Sequence, residues 1–301
     1  MIFAHVASHL DMSYIGGQAV AGPKPGAKFV VIGAGMSRTG TKSFGEALSI
    51  LLDGPVHDAG VQCNAGPRAV GERWLEALEL GAVRPTSRTK TQGAKMRYLL
   101  SELTEGYVAT VDWPANFMTD ELLQLHPDAV VICTTRDPDS WARSLAILGR
   151  VMSNWYFPIL VSVLPRIRLH TRWREGWEKM VRSRYQVPSS ASEHFDITVH
   201  EDHLRKNVPQ DKLHFYRLGS GWEPLCAILD VPVPEVPFPH RNRGDDIRRT
   251  YRNFMFAGAA VWTGILASAF AAWWFLLRTN STRNIWNILK SLIYRKSCNT
   301  R

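Results

Sequence analysis

The chain has 301 residues, 45% of them apolar, and a formal net charge of +9. This composition excludes a disordered or low-complexity chain and suits one α/β domain of about 220 residues with appendages. Its four cysteines, Cys63, Cys133, Cys226 and Cys298, lack C-x-x-C spacing, which argues against a zinc knuckle or a disulfide framework and makes a reducing compartment the default.

Residues 1–27 contain glycine and proline but no basic segment followed by a long apolar core, so an N-terminal arm is expected there, not a signal peptide. Phe29-Val30-Val31-Ile32 is a short apolar, β-branched run and predicts a buried strand. Gly33, Gly35 and Gly40 break it, and Thr41-Lys42-Ser43 leads into a helical pattern carrying Phe44, Ala47, Leu48 and Leu51. A strand, a glycine-rich turn and a helix in that order aim unpaired N–H groups and a positive helix end at one spot, which suits phosphate. An ordinary tight turn using glycine only for its dihedrals is the bland alternative.

Further on, Val56-His57-Asp58 predicts a short strand or loop, and residues 68–80 a helix with Val70, Trp74, Leu75 and Leu78 on one face. Residues 84–93 suggest a polar surface loop, and residues 96–103 a short helix. Residues 107–111 predict a strand that Asp112-Trp113-Pro114 ends, because proline cannot continue the ladder. Residues 116–125 then predict a helix and residues 129–135 a strand, followed by Arg136 and the helix start Asp137-Pro138-Asp139. Such alternation implies a parallel sheet with helices on both faces.

Residues 143–185 mix Trp155, Tyr156, Phe157, Trp173, Trp177 and Tyr185 with eight arginines. They suit either a helical lid over an apolar acceptor or a helix pair with a solvated basic face. Nucleic-acid binding is disfavoured, since no recognition module is visible. Residues 194–206 predict a helix with His200 and His203 on one face, expected to be surface histidines because no third metal ligand accompanies them. Residues 213–217 predict the last strand, residues 221–229 a helix, and residues 231–240 an extended proline-rich segment.

Residues 254–277 are 24 positions without a charge. At ~1.5 Å per residue they reach roughly 36 Å, enough to cross a hydrocarbon core. Trp273 and Trp274 lie near one end and Arg252 and Arg278 flank the run, so a single transmembrane helix is expected. Residues 243–253 would be a basic juxtamembrane linker and residues 278–301 a basic amphipathic tail able to lie in the interface. Both flanks are basic and therefore give no orientation. A C-terminal anchor following a folded domain places that domain in the cytosol, with the endoplasmic reticulum as the expected membrane.

The loop fits neither G-x-G-x-x-G, which needs glycine where Arg38 stands, nor G-x-x-x-x-G-K-[ST], since Thr41 separates Gly40 from Lys42. Arg38-Thr39-Gly40-Thr41-x-Ser43 instead resembles the 5′-phosphosulfate loop of sulfotransferases that use 3′-phosphoadenylyl sulfate (PAPS). Arg38 stands where those loops usually carry lysine, with the same charge and a different geometry. Arg136 and Ser144, eight residues apart after a strand, resemble the family's 3′-phosphate pair. Tyr107 to Pro114, Gly221-Trp222-Glu223-Pro224-Leu225-Cys226 and the prolines of residues 231–240 match a branch of fungi, algae and invertebrates. The likeness covers residues 28–242.

The resemblance implies a P-loop-like α/β domain and transfer of a sulfuryl group from PAPS, without a metal, to a hydroxyl of a small, apolar acceptor. It implies that Arg38, Thr39, Gly40, Thr41, Lys42 and Ser43 hold the 5′-phosphate end, with Arg38 steadying charge on the bridging oxygen, and that Arg136 and Ser144 hold the 3′-phosphate. Asp112, at a strand end beside the loop, is the first candidate for the base and His57, with Asp58 adjacent, the second; either could be structural. Where the family has R-K-G, this chain has Arg241-Asn242-Arg243-Gly244. The alternatives are a natural-product enzyme of this fold that no longer uses PAPS, such as a cyclase or lactonising enzyme on a polyketide-like substrate, and a non-catalytic membrane scaffold.

Overall fold

A computed structural model describes residues 14–15, 18–152, 154–165, 167–187, 195–240 and 244–298. Five strands, β1 (Val31–Gly33), β2 (Val56–Asp58), β3 (Ala109–Val111), β4 (Val130–Thr135) and β5 (Leu213–Arg217), form one parallel sheet in the order β2-β3-β1-β4-β5. Every neighbouring pair is parallel, so all C-terminal strand ends open on one edge. The fold is therefore the expected α/β architecture, a parallel sheet flanked by helices.

Strand alternation divides the core between the two faces. Ile32, Val131 and Cys133 pack with Trp74, Leu100, Phe117 and Trp141 on one side. Val31 and Ile132, their immediate neighbours in sequence, pack with Phe44, Leu48, Tyr216 and Trp222 on the other. The first face is covered by α3 (Arg68–Gly81), α4 (Lys90–Thr104), α5 (Thr119–Leu125), α8 (His170–Tyr185) and α9 (Ile197–Asn207). The second is covered by α1 (Thr41–Leu51) and α10 (Trp222–Leu229). Three more helices, α2 (Ala59–Ala65), α6 (Pro138–Met152) and α7 (Tyr156–Val161), complete the domain before the long α11 (Gly244–Cys298).

Several boundaries differ from the sequence reading. Helix α4 starts at Lys90, because Thr89 and Gln92 close a reciprocal capping box that the polar run 84–93 concealed. Residues 115–118 form a 3₁₀ turn ahead of α5. Two arginines of α8 are engaged by carboxylates of the domain: Arg172 pairs with Glu79 and Arg184 with Asp120 and Glu121. His200 is wholly buried, which corrects its reading as a surface residue. Its Nε2 donates to the Ala34 carbonyl at 2.7 Å, leaving Nδ1 to accept from the Tyr185 hydroxyl at 2.6 Å.

Residues 244–253 are helical and continuous with the apolar run. Within α11, Arg249–Thr279 is long and apolar enough to cross a membrane. The Arg241-Asn242-Arg243 segment lies outside the described residues.

Candidate active site

The loop after β1 passes close against β4. A Cβ on Gly35 would stand 1.8 Å from the Thr134 hydroxyl, so only glycine fits there. The chain then turns through two left-handed residues, Arg38 at φ 76° and Gly40 at φ 96°. That geometry sends the backbone into α1 with Gly40 as its N-cap. No side chain caps this end of the helix. The loop is braced from within, where Thr39 Oγ1 donates to the Met36 carbonyl at 2.7 Å, and from outside, where the Trp141 indole donates to the Ser37 carbonyl at 2.9 Å.

Beneath the loop lies a buried charge cluster. The Lys42 ammonium sits 2.5 Å from Asp58 and 3.2 Å from Asp112 Oδ2. Asp58 also caps α2 by accepting from the Val61 N–H at 2.9 Å. Asp112 is held in a left-handed conformation at φ 69° where β3 ends. Its Oδ1 accepts from Ser37 Oγ and from the Trp113 N–H, and its Oδ2 from Thr41 Oγ1 at 3.2 Å. Burial pushes the Asp112 carboxyl upward, but the Lys42 charge and these donors outweigh it and hold it below the usual range. Burial works against the Lys42 charge as well, yet the two carboxylates raise its pKa overall. Burial, with Asp112 adding, pushes Asp58 up against the pull of Lys42.

Above the loop, a cavity of about 400 Å³ opens at the C-terminal ends of β1, β4 and β5. Residues Arg38 to Thr41 form one wall, Arg136, Asp137 and Ser140 the opposite one, and Arg217 the β5 side. Arg136 reaches across to the Arg38 carbonyl at 2.9 Å, tying the two walls together. Three guanidinium groups and one helix N-terminus thus converge on one crevice at strand ends, where open α/β sheets bind ligands.

The expected residues separate into two layers. Arg38, Thr39, Gly40, Thr41 and Arg136 line the cavity. Lys42, Ser43 and Asp112 lie below it, and the Lys42 ammonium is engaged by carboxylates. Ser144 Oγ accepts from Arg38 Nε at 3.0 Å, so it orients that guanidinium. His57 is buried away from the cavity, its Nε2 accepting from the Trp74 indole at 2.8 Å, and burial lowers its pKa to about 3. Sequence reasoning missed Ser37, Ser140 and Arg217. Arg217 carried a signal, since it ends a predicted strand, and β5 pairs with β4 so that Arg217 stands beside Thr135, next to Arg136.

Comparison with known proteins identifies the family. A sulfotransferase-domain family profile matches residues 30–247. The chain is also 31% identical over 242 residues to Ava biosynthesis cluster protein M of Aspergillus versicolor, covering 74% of this chain and 84% of that one. With the strand, the phosphate-type loop and the arginine-lined crevice all inside the matched span, the chain belongs to the sulfotransferase-domain family.

Proposed function

We propose that this chain is a membrane-anchored sulfotransferase that takes a sulfuryl group from PAPS and passes it to a hydroxyl of a small, apolar acceptor. The observation that carries this reading is the convergence of the α1 N-terminus with Arg38, Arg136 and Arg217 on one crevice. The donor has two anionic ends, a 5′-phosphosulfate and a 3′-phosphate, and the crevice offers cations on both walls, so the residues present fit it. When bound, PAPS supplies the sulfuryl group.

The chain's own residues do the rest. The backbone N–H groups at the start of α1 and Thr41 bind the 5′-phosphate, and Arg38, fixed by Ser144, stabilises negative charge that grows at the bridging oxygen. Arg136 holds the 3′-phosphate end, with Arg217 and Ser140 beside it. Lys42 fixes Asp112 and Asp58 under the loop and acts on the crevice from below. Asp112 is the base, reached through Ser37, whose hydroxyl donates to its Oδ1 and can hand on a proton received from the acceptor side. Sequestered behind Trp74, His57 keeps a structural role.

Calorimetric titration of the detergent-solubilised chain tests the donor. Adenosine 3′,5′-bisphosphate should bind more tightly than adenosine 5′-phosphate, and equal affinities would remove the 3′-phosphate site. A second reading, a cyclase or lactonising enzyme of natural-product biosynthesis that does not use PAPS, is favoured by one observation. Ser144, expected on the 3′-phosphate, is bonded to Arg38. The name of the related fungal protein, which places that protein in a biosynthesis cluster, suits this reading too. It forecasts turnover that is indifferent to added PAPS.

A further inference from the structure

The apolar run of α11 is not uniformly exposed. Phe254 is only 4% exposed and packs with Phe157, Val161, Leu164 and Ile167, so the first turns of the run rest on α7. Gly258 lets the two backbones touch, since a Cβ there would stand 2.1 Å from the Leu160 carbonyl. The Trp262 indole donates to the Ile159 carbonyl at 2.8 Å, closing the contact one turn further along. From Ile265 to Leu277 every residue is exposed.

That division sets a depth. Thirteen exposed residues at ~1.5 Å each cover roughly 20 Å, short of a hydrocarbon core of about 30 Å. Counting back about twenty residues from Leu277 reaches Gly258, so a crossing helix must be inside the core where α7 touches it. At that level α7 turns its other side outward: Trp155 is 79% exposed and Ile159 53%, with Tyr156 between them. Exposed Arg150 and Arg168 bracket the segment on either side. Aromatic and aliphatic side chains bracketed by arginines suit the boundary between acyl chains and anionic headgroups.

We infer that α7 is a second membrane contact, seated in the bilayer interface beside α11 with Trp155, Tyr156 and Ile159 in lipid. This rests on the reading of residues 254–277 as a membrane span. Two contacts fix the pose of the domain, where one helix alone would let it swing. The Phe157 and Tyr251 rings, 5.8 Å apart, add to the contact between α7 and α11.

The test uses the full chain in phosphatidylcholine vesicles, with a fluorescent amino acid at position 155 or, in a second preparation, at position 270. Quenching by a lipid spin-labelled near its headgroup is compared with quenching by iodide in the water. The expected result is that both positions are quenched several-fold more by the lipid label than by iodide, and that a reporter at position 159 repeats the result for 155. Lipid quenching at 270 with iodide quenching at both 155 and 159 would leave the anchor in place and overturn the seat of α7. Iodide quenching at 270 as well would remove the span itself, and the proposal with it.

Discussion

Lys42 and Asp58 form an ion pair 2.5 Å long with both side chains more than nine-tenths buried. The pair links the first turn of α1 to the first turn of α2, because Asp58 also caps α2. Breaking a buried pair leaves a charge without its partner and costs about 3–5 kcal/mol. Asp58→Asn keeps the capping oxygen and removes the charge, and Asp112 at 3.2 Å remains to hold Lys42, so the low end, about 3 kcal/mol, is expected. Urea unfolding of the solubilised chain measures it, and an unchanged midpoint would show that the cluster contributes nothing.

Asp112→Asn keeps the size of the side chain but cannot accept a proton. Turnover should fall by about 10²-fold or more with donor-product affinity nearly unchanged. Ser37→Ala should lower turnover in the same direction, because it removes the hydroxyl that reaches Asp112. If Asp112 only props the loop, Asp112→Asn will shift stability and leave turnover near wild type.

Arg136→Ala should weaken adenosine 3′,5′-bisphosphate far more than adenosine 5′-phosphate. One charge-assisted hydrogen bond of ~1.5–3 kcal/mol corresponds to roughly 10- to 150-fold in affinity. Arg217→Ala is expected to act in the same direction from the β5 side of the cavity. Equal losses of the two nucleotides in both variants would move the 3′-phosphate elsewhere.

His57 and His200 are buried neutral, with pKa values lowered to about 3 and about 4. Below the ordinary value of about 6.5 the unfolded chain takes up protons that the folded chain refuses, so stability is full above that pH and declines as pH falls toward 4. Each histidine contributes a slope of about 1.4 kcal/mol per pH unit across that window. Urea midpoints between pH 7.5 and 4.5 should show the decline, and His200→Gln should remove about half of the histidine contribution to it. A slope unaltered in that variant would mean that His200 is protonated in the folded state.

A chain cut after Gly264 retains Phe254, Gly258 and Trp262 on α7, whereas one cut after Asn253 uncovers Phe157, Val161 and Leu164. Uncovering a buried side chain of this kind costs roughly 1.5–3 kcal/mol. The shorter chain should therefore unfold at lower urea than the longer one in the same dilute detergent. Identical midpoints would mean that the cluster is not part of the folded domain.

By itself, the amino-acid sequence determined the parts of this protein that depend on neighbours along the chain. β-Branched runs of four to six residues become strands because each must bury both faces. Glycines at 33, 35 and 40 mark where the backbone passes against β3, then against β4, and turns into α1. A charge-free run of 24 residues sets a membrane-length helix by hydropathy alone. That the loop and Arg136 each follow a strand end was legible for the same reason, and both line one cavity.

Only the tertiary structure decided which side chain meets which across the fold. Lys42 shares its motif with Arg38 and Thr41, yet it turns under the loop because β2 and β3 place Asp58 and Asp112 there. Ser144 meets Arg38 across 106 residues of sequence. Arg217 joins the crevice because β5 lies next to β4, a pairing that no local signal encodes. The buried positions of His57 and His200, and the contact between α7 and α11, likewise follow from packing over long sequence separations. Charge and hydropathy select what a segment can be, and the closure of the sheet selects its partners.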